Sequence, residues 1–230
     1  MSAENTTSIE IESIRRDILS RLDAQNQLRD RALNEGRQIV RLSANSVRST
    51  HRHTYDESEE LLCKAQSMLS LLLTDLADHP GIRWAGYVQD SMKEYAEASI
   101  TLALVTGESI PGPEQLGVDD PPYLNGLAES ASELRRQILD AIRKGEFARG
   151  EALLARMDEI YSFLVTVDFP DGLTGGLRRT TDALRAVLER AVTDEALREH
   201  RVAEEIAVGE DQRAHLVLVV GLVLRVFLVV

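Results

Sequence analysis

A chain of 230 residues, 43% hydrophobic but only 4% aromatic, can bury one sizeable core built chiefly from Leu, Ala, Val and Ile, a balance that favours helices over sheet. A single cysteine, Cys63, excludes an internal disulfide framework and fits a reducing compartment. The net charge of −12 ordinarily argues against a nucleic-acid partner. Only three of the 26 basic residues are lysine, however, an acid-rich and lysine-poor composition typical of salt-loving organisms, so local clusters carry more information than the total.

From Thr6 to about His53 the chain has hardly a breaker beyond Gly36, and Ile9, Ile11, Ile14, Ile18 and Leu22 recur at steps of two to four. Leu28, Leu33, Val40 and Val47 carry apolar spacing onward, which predicts one very long helix or two collinear ones. Asp56 and Glu59 have the spacing of a capping box for a second helix through LLCKAQSMLSLLLTDLA, on which Cys63 reads as a core-facing small hydrophobe. His79-Pro80-Gly81 interrupts it, and a third helix is expected from about Ile82 to Val105.

Prolines and glycines from Pro111 to Pro122 mark the main loop, with a short helical turn around Glu114 to Leu116. A fourth helix follows from Pro122 to Lys144, with Leu127, Leu134, Ile138 and Ile142 on its core face and Gly145 at its end. Residues 146–165 form another, with Leu153, Met157, Ile160 and Leu164 at core spacing. After a glycine-rich loop, Leu177 to about His200 is amphipathic through Leu184, Val187, Leu188 and Val192. No strand alternation and no repeat is visible before residue 205, so the fold class is an all-α antiparallel bundle.

Two helices carry paired carboxylates. Glu94 and Glu97 lie three apart in KEYAEA, and Glu129 and Glu133 lie four apart in LAESASELRR, each pair on one helical side. If the helices pack antiparallel, four carboxylates converge and demand protonation or a divalent cation, with Mg²⁺ or Mn²⁺ better suited than zinc to oxygen ligands. A solvated face, or ion pairs with Lys93, Arg135 and Arg136, satisfies the same spacing. On the first helix Arg37, Arg41, Arg48 and Arg52 line a stripe with His51 and His53 beside its end, as phosphate contacts or as ion-pair partners for the many acids. Zinc-protease, P-loop, dinucleotide and CxxC patterns are absent.

In order along the chain, RDRALNEGRQIVRLSANSVRSTHR, KEYAEA, PPYLNGLAESASELRRQILDAIRKGEF, DEIYSFLV and LRRTTDALRAVLER resemble the translin family over roughly residues 10–195. The resemblance implies a bundle of about seven helices, a homo-oligomer of eight subunits forming a hollow barrel, and binding of single-stranded RNA and DNA. It also implies, for members like translin-associated factor X, Mg²⁺-dependent endoribonuclease activity. Glu94, Glu97, Glu129 and Glu133 would then be catalytic metal ligands, while Arg37, Arg41, Arg48, His51 and Arg52 would hold the nucleic-acid backbone. Glu129 departs from the family pattern, which usually has aspartate there; the extra methylene shifts the carboxylate relative to a demanding ion.

Residues 1–205 are read as the helical domain and 206–230 as an acidic linker followed by an apolar tail, LVLVVGLVLRVFLVV. As a helix that tail would span about 22 Å, short of the ~30 Å membrane core, and Arg225 within it disfavours insertion. Residues 1–10 carry no leader features, so a cytoplasmic location is expected.

Overall fold

The computed structural model describes the backbone of residues 3–205 and the side chains of residues 11–194; the linker and tail expected over 206–230 lie outside the described residues. Those residues are all-α, with no strand among them. Six long helices, α1 (Ala3–His51), α2 (Tyr55–Asp75), α4 (Gly86–Thr106), α6 (Asp120–Lys144), α7 (Phe147–Leu164) and α9 (Leu177–Glu205), are joined through three single turns, α3 (Pro80–Arg83), α5 (Pro113–Leu116) and α8 (Asp171–Thr174). Thus the helices expected from apolar spacing are present, with α3 and α8 as added turns.

Two helices organise the packing: α4 lies between α1 and α6, and α6 in turn packs on α7 and α9. Accordingly α4 is apolar or small nearly all round, from Tyr95 to Val105, as a helix covered on several sides must be. On α6 and α7 the core faces follow the 3.6-residue period, with Leu127, Leu134, Ile138, Ile142, Leu153, Met157, Ile160 and Leu164 all buried. Complete burial of a residue such as Leu134 or Ile138 contributes about 1.5–3 kcal/mol.

Three expectations are corrected. Thr54, not Asp56, precedes the first turn of α2, because the Ser58 amide already bonds to the Thr54 carbonyl at 3.1 Å. The Thr54 hydroxyl is spent on the Ser49 carbonyl and Glu57 rather than on a cap. Residues 82–85 do not begin the third long helix: Arg83 closes α3 with two hydrogen bonds to Asp119, and extended Ala85 separates it from α4. Cys63 is exposed, since α2 buries Ser58, Ala65, Leu69 and Leu72, and Cys63 falls about 140° round the helix from Ser58.

Helix α1, about 73 Å long, carries a fourth difference. Its buried positions lie in its second half, at Ala32, Gly36, Ile39, Ser43, Ser46, Ser49, Thr50 and His51, whereas Ile11, Ile14, Ile18 and Leu22 are exposed. The apolar spacing at its start therefore makes helix without making core.

Candidate metal centre

Gly126 determines how closely α6 approaches α4. A Cβ at this position would stand 2.7 Å from the Lys93 carbonyl oxygen and 2.9 Å from the Glu97 amide nitrogen, so only glycine lets the helix meet that backbone. The contact lies against KEYAEA. Glu129, one turn further along α6, is thereby brought to the two glutamates of α4. One carboxylate oxygen from each of Glu94, Glu97 and Glu129 lies within 4.8 Å of the others, and all three residues are half-buried.

Three carboxylates so close cannot all be charged without compensation. Burial, reinforced by the charges of Glu129, Glu94 and Glu133, pushes the Glu97 carboxyl up from 4.5 to about 8. Partial compensation comes from Lys93, whose Nζ lies 2.5 Å from Glu129 and 3.1 Å from Glu94. Burial pulls the Lys93 ammonium down, but its hydrogen bond to Glu129 and the charges of Glu129 and Glu94 outweigh that and leave it raised.

Glu133 does not join this triad. Its Oε2 lies 2.6 Å from His51 Nε2, a ring held on the other side by the Gln137 amide, whose Nε2 is 3.0 Å from Nδ1. An amide nitrogen donates, so Nδ1 accepts, and Nε2 carries the hydrogen that is donated to Glu133. His51 is 7% exposed. Unlike the arginines with which it is expected to hold the nucleic-acid backbone, it faces inward, beside the acidic centre.

The arginines of α1 do form an outward stripe. Arg37, Arg41, Arg48 and Arg52 are exposed on the side away from Ile39 and Ser43. Arg48 bonds to Asn45, and Arg52 to Ser49 and Glu57, so the stripe is partly engaged by its own surroundings. Sequence reasoning overlooked Gly126, whose signal is a glycine inside a strongly amphipathic helix. It also overlooked Gln137, for which no signal exists without the fold.

The donor set fits a hard divalent cation: three carboxylates converge, burial and the neighbouring carboxylates hold one of them back from ionising, and no cysteine or histidine joins the group among the described residues. Held there by Glu94, Glu97 and Glu129, Mg²⁺ would supply Lewis-acid stabilisation of a phosphate and acidify a water. Among the described residues no helix is long and apolar enough to cross a membrane.

No protein-family model matches the chain. It is similar to the uncharacterized protein MJ0175 of Methanocaldococcus jannaschii, at 26% identity over 204 residues, covering 84% of this chain and 90% of that protein. Its fold is similar to AfC3PO in a complex with duplex RNA, with a TM-score of 0.75 and 29% identity over 81% of this chain and 96% of that one. AfC3PO in a second crystal structure matches with a TM-score of 0.73 and 28% identity, over 81% and 97% of the two chains. Apo-NeC3PO has the same fold, with a TM-score of 0.72 at 18% identity over 79% and 95%.

Proposed function

The chain belongs to the translin family, and from that premise we propose that it binds single-stranded RNA and cleaves it as a Mg²⁺-dependent endoribonuclease. The observation that carries the reading is the convergence of Glu94, Glu97 and Glu129 across the α4–α6 contact. AfC3PO, similar in fold and at 29% identity, forms a complex with duplex RNA, which supports RNA as the ligand class.

In this reading Glu94, Glu97 and Glu129 hold the cation, with Mn²⁺ as its substitute, and Glu133 orients or deprotonates the attacking water. His51 keeps the Glu133 carboxylate in place by donating its Nε2 hydrogen. Arg37, Arg41, Arg48 and Arg52 offer outer contacts to the backbone, which gives weak sequence preference and tolerance of single-stranded DNA. Exposed Ile11, Ile14, Ile18 and Leu22 supply α1 with an apolar stripe for self-association, in keeping with a cytoplasmic homo-oligomer of eight copies.

A second reading, a binder without catalysis, is favoured by one observation. Lys93 already bridges Glu94 and Glu129, putting a positive charge where a cation would compete. End-labelled single-stranded RNA incubated with the protein and Mg²⁺, beside a duplex of the same sequence, separates the two. Cleavage that chelation, Glu129→Gln and Glu133→Gln each abolish supports the nuclease. Retention of RNA with no cleavage across salt and metal conditions supports the binder, and undiminished cleavage by both variants sinks the site assignment.

A further inference from the structure

We infer that the groove between α6 and α9 is the track along which the RNA backbone passes the acidic centre, its phosphates met by Arg136, Arg179 and Arg190. The inference rests on the RNA-binding reading above and locates the strand within it. Two hollows follow one another along the α6–α9 contact and share Ser132 in their walls. One, of about 520 Å³, is bounded by Lys93, Glu129 and Arg179. The other, of about 870 Å³, is bounded by Glu133, Arg136 and Arg190. The groove thus runs past Glu129 at one step and Glu133 at the next.

On α9 the wall is a single helical face, Arg179–Ala183–Val187–Arg190, with small or apolar residues in the middle and an arginine at either end. The arginines are about 16 Å apart along the helix axis. Asn125 shapes the Arg179 end: its amide donates to the Pro121 and Thr174 carbonyls, and its carbonyl accepts from the Thr180 hydroxyl. These bonds tie the starts of α6 and α9 together through α8, and Gly175 and Gly176, at φ 61 and 82, make the turn from α8 into α9.

Unengaged arginines occur in two places among the described residues: on α1, at Arg16, Arg21, Arg37 and Arg41, and along this groove, which alone runs past the acidic centre. In a chain with a net charge of −12, exposed arginines mostly find acids: Arg15 pairs with Glu12, Arg156 with Glu159, Arg178 with Asp168 and Arg185 with Glu189. Arg136, Arg179 and Arg190 form no side-chain hydrogen bond or ion pair among the described residues. Their neighbours show the contrast, for Arg135 is engaged by Asp194 and Arg178 turns to Asp168. Free guanidinium groups on both flanks of a carboxylate cluster are what a polyanion needs to approach that cluster against repulsion.

The hollow beside the α1 stripe is less suited to phosphate, because Arg41 and Lys64 share it with Asp56, Glu59 and Glu60. The hollow at Glu133, by contrast, sets Arg135, Arg136, Arg143 and Arg190 against Glu133 and Asp140, and the one at Glu129 balances Lys93 and Arg179 against Glu129 and Asp90. No aromatic side chain lines the α6–α9 groove, so it reads charge and backbone rather than stacked bases.

Binding of a fluorescein-labelled oligouridylate about 15 nucleotides long, followed by anisotropy in EDTA over a series of salt concentrations, tests the track. Arg136→Gln/Arg179→Gln/Arg190→Gln is expected to weaken binding at least ~10-fold at fixed salt. It should also flatten the slope of log K against log salt by about 2, because each lost phosphate contact removes about 0.7. The matching triple lysine variant should restore most of the slope, and unchanged circular dichroism and melting would show that the fold is retained. Wild-type binding with an unaltered slope in the glutamine variant overturns the track alone. Failure of the wild type to bind RNA even at low salt overturns the RNA-binding reading and the track with it.

Discussion

His51 Nε2 donates to Glu133 Oε2 across 2.6 Å, joining the end of α1 to a carboxylate that sits beside the acidic triad yet outside it. The imidazole is almost wholly buried and has a partner on each nitrogen. His51→Ala should therefore cost about 1–3 kcal/mol, since it leaves the Gln137 amide without its acceptor inside the protein. Glu133→Gln keeps an oxygen that can accept from Nε2, and should cost less than ~1 kcal/mol while removing the charge. Urea denaturation measures both. Equal stability losses would show that the hydrogen bond has no part in holding the two helices.

Glu97 predicts an inverted pH profile. Its carboxyl is raised from 4.5 to about 8 by burial and by the charges of Glu129, Glu94 and Glu133, so the folded chain holds this proton more tightly than the unfolded chain does. Its contribution to stability is complete below pH 4.5 and is lost as pH rises through about 8. In EDTA the melting temperature should fall over that window, and Glu97→Gln should flatten the fall by several degrees, at ~2–4 °C per kcal/mol for a chain of this size. A Glu97→Gln profile that parallels the wild type would show that the group ionises normally.

What the sequence reveals of this molecule divides along physical lines. On α6 and α7 the stripes from Leu127 to Ile142 and from Leu153 to Leu164 belong to helices packed on one side, where periodicity and burial coincide. On α1 they separate, because Ile11, Ile14, Ile18 and Leu22 make an apolar face that no part of the described chain covers. Spacing reports that a face is apolar, not what lies against it. Cys63 shows the same limit: a run as apolar as ELLCKAQSML does not say which side is buried, and the small Ser58 and Ala65 decide it. For the site, i,i+3 and i,i+4 spacing put Glu94 with Glu97 and Glu129 with Glu133, but Glu133 turns to a histidine 82 positions away. Lys93, inside the quoted motif, bridges both helices in a way that only their register reveals.

Lys93→Met separates structural from metal-binding roles for the centre. With its Nζ gone, Glu94 and Glu129 lose their shared counter-charge, so the melting temperature in EDTA at pH 8 should drop. The rise on adding Mg²⁺ should then exceed that of the wild type, because a cation meets less competition. At a concentration 100 times Kd, binding stabilises by about 2.7 kcal/mol, or roughly 5–10 °C here. The rise should also be larger at pH 8.5 than at pH 6.5, since Glu97 must release its proton to act as a ligand. Differential scanning fluorimetry at matched ionic strength measures it. A shift no larger than sodium chloride produces, or one that survives in Glu94→Gln/Glu129→Gln, would remove the metal from this centre.

Gly126→Ala tests whether the close helix contact builds the centre. In an ordinary exposed helix this change would stabilise, because alanine is the better helix former by nearly 1 kcal/mol. Here the new methyl would collide with the Lys93 carbonyl and Glu97 amide at 2.7 and 2.9 Å, both backbone atoms that cannot swing aside. Forced separation of α4 and α6 should outweigh the propensity gain and cost about 1–3 kcal/mol overall. It should also move Glu129 away from Glu94 and Glu97. The expected result is a melting temperature lower by several degrees together with a diminished response to Mg²⁺, at unchanged helical content by circular dichroism. An alanine variant as stable as the wild type, with its Mg²⁺ response intact, would mean that the helices can part without cost and that the glutamates are not held by this contact.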